Sequence, residues 1–328
     1  MRQSMLWLSA SLFVTAAGAL AQDLTEFPLS KHLIDTLVAE HEFERDYVEQ
    51  LFKDGRYIAR NVENLAQPAE RTETFRQYRP RFISPQMVNS GLAFMEKHQQ
   101  WLDKAETELG VPAEIVAAII GIETSFGNFL GQHRTFDALA TLAVTEGRRA
   151  EYFQREFVQF MLIMRDMEFE PLSVVGSYAG AMGYPQFMPT SYNAYAIDHN
   201  GDGTIDIWNN PADAIGSVAN YLAEHGWKTG EYVATSVTVN GEYQNLKVNS
   251  LERDQTLADA KASGWEPENA LDDQAQAHPL RLDGDDGPEY WLGYQNFWVI
   301  SRYNRSILYS MAVFQLAEEL RLARENAG

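Results

Sequence analysis

Val111-Pro112-Ala113-Glu114-Ile115-Val116-Ala117-Ala118-Ile119-Ile120-Gly121-Ile122-Glu123-Thr124 is the stretch around which the rest of the chain organises. Pro112 suits the first turn of a helix, and Gly127 is a natural stop. Between Glu114 and Glu123 run eight residues with no charge. Ile119 and Ile120 lie four and three residues before Glu123, so both share its side of the helix. Exposed helices rarely run this far without a charge, so the spacing predicts a buried helix ending in a carboxylate. Burial there would raise the pKa of Glu123 and keep it protonated near neutral pH. A protonated carboxyl is what cleavage of a glycosidic bond requires, because the leaving oxygen must receive a proton. The same residue is also explained as a partly solvated Glu at a helix end, capping it or pairing with Arg134 or Arg148.

Outward from this helix, the pattern is mostly helical from Leu24 to about Trp227. Apolar residues recur at three- and four-residue spacing, as in Leu33-Ile34-Leu37 and Phe157-Phe160-Met161-Met164. Between about Thr229 and Tyr290 the character changes. Tyr232-Val233-Ala234-Thr235-Ser236-Val237-Thr238-Val239 is β-branched and meets Asn240-Gly241, a hairpin turn signal. Asp283-Gly284-Asp285-Asp286-Gly287 reads as a solvated turn. Helix returns at Ile307–Asn326. The expectation is a predominantly α fold (α+β), with a small β-containing insertion and a final helix packed back on the main body. No internal repeat or low-complexity linker interrupts it.

The chain has 328 residues, enough for one large or two ordinary domains. Its formal net charge is -20, with 26 Lys+Arg against 46 Asp+Glu, which disfavours nucleic acid as a partner. There are no cysteines, which excludes disulfides, thiolate-held zinc, iron–sulfur clusters, thiol nucleophiles and a lipid-bearing cysteine. Arg2 precedes an apolar stretch from Met5 to Ala21 ending in Ala19-Leu20-Ala21, the pattern of a signal peptide (residues 1–21) cut before Gln22. An N-terminal membrane anchor is the alternative, since about 17 residues is the lower limit for a span. A cleaved chain would be exported and suited to a periplasm.

Gly176-Ser177-Tyr178-Ala179-Gly180-Ala181-Met182-Gly183-Tyr184-Pro185-Gln186-Phe187-Met188-Pro189-Thr190-Ser191-Tyr192 is dense in glycine, aromatic rings and neutral hydrogen-bonding groups. It makes a poor regular helix, and glycine permits close backbone approach. Aromatic faces beside amides and hydroxyls suit a sugar-binding cleft; a tightly packed structural turn fits the same residues.

With these two motifs in order, the chain resembles the lytic murein transglycosylases of the B type. Their hallmark is Gly-Ile/Val-Glu-Thr followed by a Gly-Ser-x-Ala-Gly-Ala-Met-Gly-x-x-Gln-Phe-Met-Pro-Ser/Thr-Ser-Tyr run. The similarity continues through Asp137–Leu142, Arg148-Arg149-Ala150-Glu151-Tyr152-Phe153 and Asp213–Tyr221, then resumes at Trp291-Leu292-Gly293 and Arg302-Tyr303-Asn304. It spans roughly Leu24 to Leu320 and is weakest in the insertion, 230–285.

The resemblance implies a lysozyme-like core acting on peptidoglycan glycan strands. It implies an N-terminal helical domain with part of the core (22–110), the catalytic core (111–228), a small β-containing domain (229–290), and a return to the core (291–328). The implied reaction cleaves the β-1,4 bond between N-acetylmuramic acid and N-acetylglucosamine without water and leaves 1,6-anhydromuramoyl ends. Glu123 would act as acid and then base. Ser177 and Gln186 would contact sugar, and Tyr78, Tyr221, Tyr303, Asn304 and Tyr309 would line the cleft. Cell-wall synthesis or division proteins are partners that it allows.

Asp198-His199-Asn200-Gly201-Asp202-Gly203-Thr204-Ile205-Asp206-Ile207 reads as a calcium loop (198–213). Oxygen ligands stand at positions 1, 3 and 5, glycine at 6, and the Thr204 carbonyl at 7. Position 12 is Asn209 instead of Glu. By the resemblance Asp213 closes the loop, but the segment is one residue longer than the family's form, so Asp206 is an alternative. The loop has no paired partner, so a structural calcium is expected rather than a sensor; an Asp/Gly-rich turn is the metal-free alternative.

Two other function classes fit parts of the sequence. A lysozyme-like hydrolase would need a second carboxylate to direct water, and none stands beside the motifs. A non-catalytic cell-wall-binding protein would not need a buried acid. The motifs nearly lack charge, so recognition is expected to rest on neutral and aromatic groups.

Overall fold

A computed structural model describes residues 23–66, 73–240 and 245–327. The expected signal segment and Gly241 of the expected turn lie outside the described residues. The helices come first: α1 (Pro28–His41), α2 (Arg45–Asp54), α3 (Ala59–Ala66) and the short α4 (Phe75–Tyr78), which runs into a 3-10 turn at Arg79–Arg81. α5 (Pro85–Lys97) and α6 (Gln99–Leu109) lead into α7 (Ala113–Thr124). There follow β1 (His133–Arg134), α8 (Thr135–Val144), α9 (Ala150–Asp166), β2 (Val175–Gly176), α10 (Pro189–Tyr195) and α11 (Pro211–Glu224). β3 (Ala234–Val239), α12 (Leu257–Ala262), β4 (Trp265–Pro267), β5 (His278–Gly284) and β6 (Gly287–Gly293) make the small β unit. α13 (Gln295–Tyr303) and α14 (Ile307–Ala327) return to the helical body.

α7 is the axis of that body. Every residue from Ile115 to Gly121 is buried, and Ile119 and Ile120 are 0% exposed. A helix apolar all round must be enclosed by other elements, and α14, α5, α11 and α6 pack around it. Pro112 is the N-cap, and the helix ends earlier than glycine alone would dictate. The Thr124 hydroxyl donates to the Ile120 carbonyl and accepts from the Gly127 N–H, both at 3.0 Å. Ser125 and Phe126 then take left-handed φ values of 50° and 61°, ahead of Gly127. That reversal folds the Phe126 ring back over Gly121, where an added Cβ would meet its Cζ at 2.5 Å.

The four-stranded sheet has the order β4-β3-β6-β5, all pairs antiparallel. Ala234 stands opposite Gly293, and Val237 opposite Pro267. The strand expected at Tyr232–Val239 is present, but Asn240 does not open a tight hairpin. Its N–H bonds the Gly264 carbonyl at 2.8 Å, and the strand's neighbours come from far along the chain. The tight hairpin is at Asp285-Asp286, between the paired Gly284 and Gly287. Trp265, Leu257, Leu292 and Tyr294 form a small core of their own, whereas Leu280 and Leu282 of β5 join the main core.

Arginines of α4 and the turn after it fasten the hairpin to the helical body. Arg76 donates to the Gly284 carbonyl at 2.9 Å, and Arg79 pairs with Asp285 at 2.5 Å and Glu289 at 2.9 Å. Exposed ion pairs are individually worth about 0–1 kcal/mol, so the apolar contact of β5 carries most of the attachment.

The Gly121–Phe126 contact gives a direct test of the core. Gly121→Ala is expected to destabilise the protein by about 1–3 kcal/mol, the usual cost of overpacking, measured by urea unfolding with an unchanged slope.

Candidate active site

A cleft of ≈ 1270 Å³ lies between the helical body and the β unit. Glu123 reaches it from the last turn of α7, half-buried, and accepts a hydrogen bond from the Tyr309 hydroxyl at 2.7 Å. Tyr309 is 2% exposed on α14. Burial first, and then the neighbouring Glu123 charge, push its hydroxyl well above the usual phenol range. It therefore remains a proton donor to the carboxyl across the neutral range.

Tyr303 lines the cleft with part of its ring, stacked 6.5 Å from Tyr309, while its hydroxyl turns inward to the Pro185 carbonyl at 2.6 Å. Burial raises this hydroxyl as well, with Glu123 the next cause. Tyr221 does not line the cleft. It packs 4.8 Å from Tyr303, donates to the Arg302 carbonyl at 2.6 Å, and is pushed up to about 12 by burial. Tyr78 likewise lies inside, 3% exposed, against Phe82 and near enough to Tyr309 to influence it. Of the four tyrosines expected as lining, Tyr303 lines the cleft, and Tyr78, Tyr221 and Tyr309 stand behind it, because α4, α11 and α14 turn those positions toward the core.

The glycine-rich run forms one wall. Ser177 and Gln186 both line the cleft. The Ser177 Oγ accepts the N–H groups of Ala179 (3.2 Å) and Ala181 (3.0 Å), which leaves its proton to offer outward. Gln186 has a left-handed φ of 51°, an uncommon conformation for a non-glycine residue and one that clusters at functional sites. Its Nε2 donates to the carbonyls of Gly183 (2.9 Å) and Leu130 (3.2 Å). Gly183 has φ 65°, and an added Cβ would strike the Ile207 carbonyl at 2.5 Å, so only glycine fits. Asn304, the C-cap of α13, completes this side.

The expectation of a nearly uncharged site is corrected by other residues of the lining. Arg149, Arg281 and Arg305 line the cleft, together with Glu73, Glu252 and Asp283. Arg149 stands in the Arg148–Phe153 run and Arg305 directly follows Arg302-Tyr303-Asn304, whereas Arg281 comes from the insertion, and no motif states that the three share one cleft. Each of these acids has a cation at hand: Glu73 bonds Arg81, Glu252 lies 2.9 Å from Lys247, and Asp283 lies 3.6 Å from Arg281. Arg149 is held over the rings of Tyr152 and Phe153 at 4.8 and 4.9 Å.

The loop at Asp198–Asp213 is built from oxygen-bearing turns. Asp198 accepts the N–H groups of Gly201 (2.7 Å) and Gly203 (2.7 Å), the Asn200 Oδ1 accepts from Asp202 (3.0 Å), and the Asp202 Oδ1 accepts from Thr204 (2.9 Å). Asp206 accepts from Trp208 and Asn209, both at 2.9 Å. Asp213, 0% exposed, takes the N–H groups of His199 and Asp206 at 2.9 Å, which ties the loop to α11. Among the described residues no three carboxylate or imidazole groups converge as a preformed metal cluster. The donor set is nevertheless all oxygen, the chemistry a hard cation takes, while Asp213 already accepts from His199, Asn200, Asp206 and Asn210 with both its oxygens.

Comparison with known proteins places the chain. The Transglycosylase SLT domain family matches residues 28–318. Membrane-bound lytic murein transglycosylase B of Escherichia coli (strain K12) is 41% identical over 311 residues, covering 92% of this chain and 85% of that protein. The soluble lytic transglycosylase SltB1 from Pseudomonas aeruginosa superposes with a TM-score of 0.85 at 43% identity, over 91% of this chain and 100% of that one. The Escherichia coli lytic transglycosylase Slt35, solved in complex with calcium, superposes with a TM-score of 0.86 at 40% identity, over 93% and 96%. The chain belongs to the lytic murein transglycosylases of the B type, enzymes that cleave the glycosidic bonds of peptidoglycan. No helix among the described residues is long and apolar enough to cross a membrane.

The pairing of Tyr309 with Glu123 yields a second test. Tyr309→Phe removes one hydrogen bond to a carboxyl, worth about 1.5–3 kcal/mol. We expect kcat on peptidoglycan to fall about tenfold to a hundredfold, with the fold retained by circular dichroism.

Proposed function

We propose that Glu123 carries the chemistry as a single acid and then base. Its carboxyl gives a proton to the N-acetylglucosamine oxygen as the β-1,4 bond breaks. The C6 hydroxyl of the muramoyl unit then attacks its own anomeric carbon and returns its proton to Glu123, leaving a 1,6-anhydro end. The substrate's N-acetyl group steadies the oxocarbenium-like charge, as in substrate-assisted glycosidases. The observation that carries this reading is that the Glu123 carboxyl reaches the cleft from the end of α7, held by the Tyr309 hydroxyl at 2.7 Å, beside Ser177, Gln186, Tyr303 and Asn304. A nucleophile supplied by the substrate needs no second carboxylate to direct water. Ser177, Gln186, Tyr303 and Asn304 contact the sugars; Tyr309 orients Glu123; Tyr78 and Tyr221 support these from behind. The exported chain would meet glycan strands in the periplasm, and segment 111–228 with the returning α14 would be the catalytic unit, with 22–110 and 229–290 as its flanking domains.

Mass spectrometry of muropeptides released from purified peptidoglycan tests this. Anhydromuramoyl ends are expected, and Glu123→Gln should lower their release by at least about a thousandfold. Reducing muramic acid ends, or an active Gln variant, would sink the mechanism.

Calcium fits the loop, with Asp198, Asn200, Asp202 and the Thr204 carbonyl as donors and Asp206 and Asp213 completing the set. Bound there it would neutralise a cluster of carboxylates and stiffen the loop, with no part in the chemistry. Adding EDTA is expected to lower Tm by on the order of 5 °C and calcium to restore it; an unchanged Tm would count against the site.

A further inference from the structure

A buried carboxylate on α9 has no part in the reaction above. Glu156 of α9 is 0% exposed. Its Oε2 accepts the Thr190 N–H at 2.9 Å and its Oε1 accepts the Thr190 hydroxyl at 2.7 Å. Both oxygens thus hold Thr190, and the carboxylate also takes a hydrogen bond from the Tyr152 hydroxyl. The Tyr152 hydroxyl lies against the same carboxylate and is pushed up to about 12, by burial first and Glu156 second. Burying a carboxylate is costly, and apolar residues of similar volume often stabilise a core as well or better. Stability alone is therefore a poor reason for an acid at this position.

Thr190 is the second residue of α10, which follows the segment that carries Gln186 into the cleft. Gly183–Met188 belongs to no helix or regular strand. It is pinned instead: Phe187 and Met182 exchange backbone hydrogen bonds at 3.0 and 2.8 Å, and the Pro185 carbonyl takes the Tyr303 hydroxyl at 2.6 Å. Toward the C-terminus the next fixed point is Thr190, reached through Pro189. We propose that Glu156 is a positioning residue, which sets the Pro185–Gln186 turn against the reacting bond by fixing Thr190. It acts through the turn and does not touch substrate. The inference rests on the transglycosylase reading above, since it takes Gln186 as a sugar contact. A displacement of about 1 Å in such a group can cost on the order of a hundredfold in rate.

The test uses the full chain and soluble, uncrosslinked peptidoglycan strands, with kcat and KM measured well below each variant's Tm. Glu156→Gln and Thr190→Val are each expected to lower kcat by about tenfold or more, with KM shifted by less than about threefold. Thr190→Ser, which keeps both hydrogen bonds, should restore kcat to near the wild-type value. A fall in Tm with kcat and KM unchanged in both variants would make Glu156 a purely structural residue and overturn the proposal. If Glu156→Gln does not fold, Thr190→Val, which removes one hydroxyl, decides alone. Failure of the underlying reading shows separately, because the wild-type chain itself would then release no anhydro ends.

Discussion

The hydrogen bond from Tyr309 to Glu123 is the constraint on which the rest of the architecture depends. It joins the middle of the chain to its last helix, which lies along α7, so the segment between α11 and α13 must leave the helical body and return. The β unit is the excursion that results. The bond also dictates what surrounds it. A carboxyl and a phenol can be enclosed together only if neither is left unpartnered, because a buried unmade hydrogen bond costs about 1–3 kcal/mol. The neighbouring phenols obey the same rule: Tyr303 finds the Pro185 carbonyl and Tyr221 the Arg302 carbonyl. The aromatic stack behind Glu123 is therefore a chain of satisfied donors, and its members cannot be exchanged freely.

The parts legible from sequence were those encoded locally. A charge-free run ending in Glu123 is a statement about one helix, and the structure places that helix at the centre of the body. Oxygen-bearing residues spaced for a loop at Asp198–Thr204 are likewise local. Long-range geometry was not legible. Asn240-Gly241 carries the right turn chemistry, yet β3 pairs with Trp265–Pro267 and with Gly287–Gly293. Turn propensity acts over a few residues, whereas strand pairing is decided by which apolar faces can be covered together. Tyr78 and Tyr221 show the same limit. The motifs carry the residues, but whether a ring faces the cleft or stands behind it depends on helix orientation, which no motif states.

Charge illustrates the point from another side. Motifs that nearly lack charge suggest a neutral site, in a chain whose net charge of -20 selects no substrate. The folded cleft instead gathers Arg149, Arg281 and Arg305 from three separate segments, and Arg149 is steadied by two aromatic faces. Net charge describes the solvated surface in aggregate. The local field of a cleft depends on which few side chains the fold brings to it.

The segment Gly183–Met188 shows how such a site is held in place. It is too rich in glycine and proline to sustain regular structure, and Gln186 sits in a left-handed conformation that the backbone does not favour by itself. Its position must therefore come from outside. Three parts of the fold supply it: the calcium-type loop, where the Tyr184 N–H bonds the Ile207 carbonyl at 3.0 Å; the return helices, where Tyr303 holds Pro185; and α9, where Glu156 holds Thr190. Each support lies far from the segment in sequence, and each is a buried polar group whose burial makes sense only if it has a fixed partner. A strained turn held at three points has little freedom to relax away from the cleft. That explains why so irregular a stretch stays ordered beside Glu123, and why the polar groups around it lie in the interior rather than at the surface.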